Sequence, residues 1–211
     1  MLVLLQNAFA WFVERKAHKG HLEVERKFSI SMQEAESLPM RLREYEFRPA
    51  GSVVMTDTFL PPRQKGEMLR VRDEMIAGSV RSVFTMKSWV YGRDGNKERQ
   101  ESEAEVSSLV RTLAVIFGRF ACGRDLLNFS KERALFDAKL NGKDVVVCLD
   151  RVNGLGKFSG HFMEVECIIP LGQDPTEARA EIFKFVETLF GSPREDIKRS
   201  YLEMLELSRQ G

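Results

Sequence analysis

"LEVERKF", Leu22 to Phe28, places four charged residues among three apolar ones. Side chains of a strand alternate between faces, so Glu23, Glu25 and Lys27 share one face while Leu22, Val24 and Phe28 share the other. The same parity groups Arg70 with Arg72, Thr85 with Lys87, Glu101 with Glu103 and Glu105, Lys131 with Arg133, and Glu164 with Glu166. A solvated sheet face explains any one of these ladders. It explains the set less well, because the opposite faces are not uniformly apolar and several strands are long enough to sit centrally. In a closed eight-stranded barrel the inward positions can line a wet cavity holding ions of both signs, whereas a dry interior would charge a heavy penalty for each unpaired ion.

Around this opening strand the chain reads as strands with a few helices. Strands are expected at Leu22–Ile30, Val53–Phe59, Met68–Asp73, Ser79–Trp89, Lys97–Val106, Asn128–Phe136, Asp144–Val152 and His161–Ile169, mostly antiparallel by their short connections. Asp174 with Pro175 and Glu177 reads as a cap, first-turn proline and capping box, leading into a helix through Ala178, Ile182, Val186 and Leu189 before Gly191. Ser192, Pro193 and Glu195 repeat the device, and the helix after them places Ile197, Tyr201 and Leu205 on one stripe. Ser107–Phe117 gives a further apolar helix ended by Gly118.

Composition narrows the function classes. A chain of 211 residues, 43% hydrophobic, can bury a core, and 32 basic against 31 acidic residues leave no global field for nucleic acid or membrane. Cys122, Cys148 and Cys167 lack metal-ligand spacing and read as reduced thiols, which makes a cytoplasmic protein the default. The apolar run Ala8–Val13 is too short to span a bilayer, and residues 1–20 read as a helical N-terminal extension ahead of a single domain at 21–211.

The order and spacing of these motifs carry a resemblance. Glu23-x-Glu25-x-Lys27 resembles the signature opening the CYTH superfamily, the triphosphate tunnel metalloenzymes, which include thiamine triphosphatases, inorganic triphosphatases and class IV adenylate cyclases. "TDTFL" (Asp57 to Phe59), "LRVR" (Arg70, Arg72), "FTMK" (Lys87), "RQESE" (Glu101, Glu103), "KER" (Lys131, Arg133), "CLDRVNGLGKF" (Asp150), "MEVE" (Glu164, Glu166) and "IKRSYLEML" (Lys198, Ser200, Tyr201) follow in the family's order, from about residue 21 to the carboxyl terminus. Leu60-Pro61-Pro62 stands where relatives often have an acidic residue after the second-strand aromatic, and residues 1–20 match nothing in the family.

The resemblance implies an α+β fold: a closed or nearly closed antiparallel eight-stranded barrel, or tunnel, with flanking helices. It implies hydrolysis of a triphosphate of the thiamine triphosphate or inorganic tripolyphosphate class. A triphosphate is a dense polyanion, and Lys27, Arg70, Arg72, Lys87, Lys131, Arg133 and Lys198 are the candidate phosphate ligands. Mg²⁺ or Mn²⁺ prefers carboxylate oxygen, which suits Glu23, Glu25, Asp150, Glu164 and Glu166. Lys27, Glu101 and Glu103 are the candidate catalytic residues. The partner expected is a small-molecule triphosphate, with the protein a monomer or homodimer. The alternatives are a cyclase converting ATP to cyclic AMP and a non-catalytic polyphosphate binder. Gly154-Leu155-Gly156 reads as a tight turn rather than a phosphate cradle, and Tyr201 as either a substrate contact or a packing residue.

Overall fold

The computed structural model describes residues 21–62, 66–91, 97–123, 125–170 and 173–210, with the backbone alone at 21, 88–91 and 97–101. The expected N-terminal extension therefore lies outside the described residues. Among the described residues eight strands are present: β1 (His21–Ile30), β2 (Arg48–Leu60), β3 (Met68–Ile76), β4 (Ser79–Tyr91), β5 (Lys97–Val106), β6 (Asn128–Leu140), β7 (Lys143–Asn153) and β8 (Gly160–Pro170). They form one antiparallel sheet in the order β1-β8-β7-β6-β2-β3-β4-β5. β1 and β5 are the ends of that order, and no ladder among the described residues closes them on each other.

Among the described residues four α-helices accompany the strands: α1 (Met32–Glu44), α2 (Ser108–Cys122), α3 (Pro175–Phe190) and α4 (Tyr201–Arg209). None among the described residues is long and apolar enough to cross a membrane. The chain divides into two compact units, one from Val54–Ser130 and one from Gly20–Val53 with Lys131–Gly211.

In the Val54–Ser130 unit, β3 and β4 are joined by Ala77-Gly78, both at positive φ (50° and 82°), a two-residue turn whose twist matches that of the strands it joins. Leu69, Val71, Phe84, Met86, Ala104 and Ala114 form its core. Helix α2 does not end at Gly118 as expected; it runs on to Cys122 and is capped at Gly123. Gly118 is there for space: a Cβ on it would come within 2.9 Å of the Leu60 side chain and 3.2 Å of Leu126. A glycine inside a helix costs about 1 kcal/mol relative to alanine, and here close packing is what it allows.

In the other unit, β1, β8 and β7 lie side by side and bury Val24, Phe28, Val147, Met163 and Val165 against Leu38 and Leu42 of α1 and Ile182, Val186 and Leu189 of α3. Helix α3 has the expected start and stop. Asp174 caps it by accepting from Thr176, with no reciprocal bond from Glu177. Two local expectations in this unit are corrected. Ser192-Pro193-Glu195 starts no helix: the chain stays irregular to Ser200, and the Ile197 N–H donates to the Lys27 carbonyl at 2.6 Å, tying this segment to β1. The working cap is Ser200, whose hydroxyl accepts from the Glu203 N–H while the Glu203 carboxylate accepts from the Ser200 N–H. Gly154-Leu155-Gly156 is likewise no tight turn, since the β7–β8 connection holds a 3₁₀ turn at Gly156–Phe158 with Leu155 fully buried.

The central strands are buried on both faces. On β3, Leu69, Arg70 and Val71 are all buried, and on β8 so are Met163, Glu164 and Val165. One face is apolar and the other charged, so the solvated-face explanation of the charge ladders does not hold for these strands.

Candidate functional site

Antiparallel register places directly opposed side chains on one face. In the Val54–Ser130 unit Asp57 lies opposite Arg72, Arg70 opposite Thr85, and Thr85 opposite Glu103, so four strands each contribute to one row. Arg72 grips Asp57 with two nitrogens, Nε to Oδ1 at 2.7 Å and Nη2 to Oδ2 at 2.9 Å. Arg70 spreads its donors: Nη1 to Asp57 Oδ2 at 3.2 Å, Nη2 to Thr85 Oγ1 at 3.0 Å and to Glu103 Oε1 at 3.4 Å. The Thr85 hydroxyl donates to Glu103 at 2.9 Å. Asp57 is 1% exposed and Arg70 6%, while Glu103 reaches the surface. Lys87 is half-buried at the register position opposite Glu101, whose side chain lies outside the described residues.

The second cluster belongs to the other unit and is centred on Asp150 of β7, 2% exposed. Its carboxylate accepts from Lys131 Nζ at 2.9 Å, from Arg133 Nε and Nη2 at 2.7 Å each, and from the Tyr201 hydroxyl at 3.1 Å. Arg133 also bonds Glu164, and its Nη1 reaches Glu166 at 3.5 Å. Lys27 pairs with Glu164 at 3.4 Å, its cross-strand neighbour, and lies 3.8 Å from the centroid of the Tyr201 ring, a cation–π contact. Tyr201 thus belongs to the cluster by its hydroxyl and its ring. Its helical stripe still packs: it meets Phe162 edge-on at 5.4 Å.

The ionisation states follow from this geometry. Burial opposes the charge on Glu164, but Arg133, Lys131 and Lys27 outweigh it and hold its carboxyl well below the usual range. Burial also opposes the charge on Arg133, and Glu164 and Asp150 more than reverse this. Tyr201 is pushed well up by burial and by the same two carboxylates, so its hydroxyl stays a donor. Glu166 goes the other way. Burial, with Glu164 and Glu25 adding repulsion against the pull of Arg133, raises it to about 7.

This sorts the five expected metal ligands. Asp150 and Glu164 are held by Lys131, Arg133 and Lys27. Glu25 and Glu166 face each other across the β1–β8 ladder, and Glu23 follows on the same face of β1, exposed and opposite Ile168. No group of three or more His, Cys, Asp or Glu side chains among the described residues stands together as a ready ligand set. The Glu25–Glu166 pair nevertheless fits a hard divalent cation by its chemistry, because its mutual repulsion is relieved by either a proton or a cation. Lys198 is exposed in the irregular segment before α4 and is not brought to either cluster.

A raised folded-state value has a defined sign. The contribution of Glu166 to stability is fully present below its ordinary value of 4.5 and is lost as pH rises through about 7. Glu166→Gln should therefore melt a few degrees above the wild type at pH ~8 in chelator, with the gap closing toward pH ~5. Thermal melts across that range decide it. A variant that melts lower throughout would make Glu166 a counter-ion of Arg133 instead.

Asp57 is the main site residue that sequence reasoning did not single out. Its signal was present: Val53, Met55, Asp57 and Phe59 alternate on the buried face of β2, and an acid on such a face needs a partner.

Comparison with known proteins follows the same lines. In solved structures, a Pyrococcus horikoshii protein is 25% identical, with 89% of this chain and 99% of that chain covered at a TM-score of 0.63. An adenylate cyclase candidate from Vibrio parahaemolyticus is 20% identical over 89% and 99% of the two chains, TM-score 0.58. An adenylyl cyclase candidate from Hippeastrum, in which a dominant triphosphatase activity was found, is 17% identical over 91% and 96%, TM-score 0.55. No curated protein matches in sequence. The profile of the CYTH domain matches residues 21–201, which span both clusters, and the chain therefore belongs to the CYTH family.

Proposed function

We propose that the protein is a divalent-metal-dependent triphosphatase that releases the terminal phosphate of a triphosphate substrate. The observation that carries this reading is the pair of buried arginine and lysine clusters, each assembled on one aspartate. Buried ion clusters are often no more stabilising than apolar packing of the same volume, so two of them in one sheet are better explained by a polyanionic ligand than by stability. The triphosphatase activity found in the Hippeastrum protein is consistent with this choice. The closed tunnel expected from the sequence belongs to the same proposal.

In this reading Arg70, Arg72, Lys87, Lys131 and Arg133 bind phosphate oxygens, the arginines through paired donors, and Lys198, outside both clusters, is left out of the ligand set. Glu25 and Glu166, with Glu23 beside them, hold the cation. Bound there, a divalent ion would supply charge neutralisation of the phosphate oxygens. Lys27, between Glu164 and the Tyr201 ring, is placed to offset negative charge on the substrate. Asp150 and Asp57 keep the cations in position, and the high Tyr201 value keeps a proton on its hydroxyl to hold Asp150. Glu103, exposed and bonded to Thr85, is the described carboxylate available to orient water.

The test is a panel of tripolyphosphate, thiamine triphosphate and ATP with Mg²⁺ or Mn²⁺, scored for phosphate, pyrophosphate and cyclic nucleotide. Phosphate release that a chelator abolishes and added metal restores is the expected result. Pyrophosphate with cyclic AMP as the main products from ATP would replace the hydrolase by a cyclase. Turnover that persists in chelator would remove the metal from the reading.

A further inference from the structure

Helix α2 is apolar on two opposite faces. Ala114 and Gly118 are buried, Ala114 in the core of the Val54–Ser130 unit and Gly118 close to Leu60 and Leu126. On the same side Arg111 pairs with Asp73 of β3, the strand that carries Arg70 and Arg72. The other face shows Leu109, Leu113, Ile116 and Phe120, whose spacings of four, three and four residues line them up along the helix. All four are exposed, Leu109 to 66% and Phe120 to 83%. A helix apolar on both sides is normally covered on both, and a bare stripe on the order of 500 Å² is at the upper end of what a monomer carries.

Two copies of this stripe paired across a two-fold would bury about 1,000 Å² in total, below the ~1,200 Å² at which stable interfaces begin. The chain itself offers a better match. Leu2, Leu5, Phe9 and Phe12 recur at spacings of three, four and three residues, the pattern of a seam between two helices, and Asn7 falls on the opposite side. As a helix that row is about 15 Å long, against about 17 Å from Leu109 to Phe120. A tethered segment docks at an effective concentration of the order of millimolar, so it needs less area than a free partner. Residues 14–20, with Arg15, Lys16 and Lys19, are the polar connection from this row to β1.

We propose that residues 2–12 form a helix whose Leu2, Leu5, Phe9 and Phe12 cover the outer stripe of α2. The extension is then a brace on α2, the helix that Arg111 ties to Asp73, on the face of β3 opposite Arg70 and Arg72. Nothing in it depends on the triphosphatase reading.

The experiment measures amide hydrogen exchange of α2 in the full chain and in Phe9→Asp, Leu113→Asp and the double variant. Each single change should speed exchange of the α2 amides by roughly tenfold, and the double variant should be no faster than the faster single one, because either charge alone undocks the pair. Asn7→Asp, a charge off the seam, should leave α2 as in the wild type. Phe9→Ala with Leu113→Ala repeats the cycle without a new charge and at full helix propensity, and should show the same lack of additivity should an aspartate variant fail to fold. Unchanged α2 exchange in the Phe9 variants, or equal effects of Asn7→Asp and Phe9→Asp, overturns the proposal. Sedimentation across a range of protein concentrations tests the rival occupant: a dimer that Leu113→Asp dissociates and Phe9→Asp leaves intact gives the stripe to a second copy. Co-sedimentation with anionic phosphatidylserine vesicles that Phe9→Asp abolishes, with α2 exchange in solution unaltered, gives the segment to a lipid surface and likewise overturns it.

Discussion

Asp150→Ala should lower the melting temperature in chelator by roughly 10 °C, the consequence of leaving buried cations without their counter-ion at about 3–5 kcal/mol. Asp150 has no exposed surface to speak of and accepts from Lys131, Arg133 and Tyr201. Its removal takes a direct counter-ion from Lys131 and from Arg133, both of them buried. Asp150→Asn keeps the shape but presents an amide nitrogen to a ring of donors, so most of the loss should remain. The alternative role makes the opposite prediction. If Asp150 were chiefly a metal ligand among repelling carboxylates, neutralising it in chelator would leave the melting temperature unchanged or raise it. A thermal melt of the two variants without metal thus separates an organiser of cations from a ligand of metal, and a rise would restore the second role.

The same distinction shows what was legible in the sequence. Alternation placed every strand, because a strand buried on both faces with one face charged leaves a strong period of two, and LRVR and MEVE display it plainly. What alternation cannot give is the cross-strand partner. Whether Asp150 meets Glu23 or Arg133 depends on which strands are neighbours, and β7 lies between β8 and β6 in the sheet order. That adjacency is a property of the whole chain. Helix α1 was missed for a local reason: its buried stripe is short, Leu38 and Leu42, and Pro39 interrupts it, although Ser31 and Glu34 form a full capping box. Gly118 was read as a stop because its use, admitting Leu60 and Leu126, is invisible until tertiary packing exists. Ser192-Pro193-Glu195 had the letters of a cap, but the main chain at Ile197 is engaged by β1, and that bond wins over a helical turn.

Arg70→Ala is expected to reduce kcat/KM by roughly 10- to 150-fold, the equivalent of about 1.5–3 kcal/mol for hydrogen bonds to a charged group. The two arginines of β3 are not equivalent. Arg72 is committed to Asp57 by two parallel bonds of 2.7 and 2.9 Å, a geometry that fixes both partners. Arg70 divides itself among Asp57, Thr85 and Glu103 at 3.0–3.4 Å, so its guanidinium can turn toward a phosphate at small cost to its present bonds. Arg72→Ala should accordingly lower the melting temperature more than Arg70→Ala, because it removes the two short parallel bonds that hold the Asp57 carboxylate. Arg70→Lys should rescue little, since an ammonium offers a point charge where a planar fork is needed. Kinetics on tripolyphosphate and thermal melts of the three variants check the assignment together. Wild-type kcat/KM in Arg70→Ala, with a melting temperature as low as that of Arg72→Ala, would show that both arginines only neutralise Asp57, and β3 would then carry no phosphate ligand.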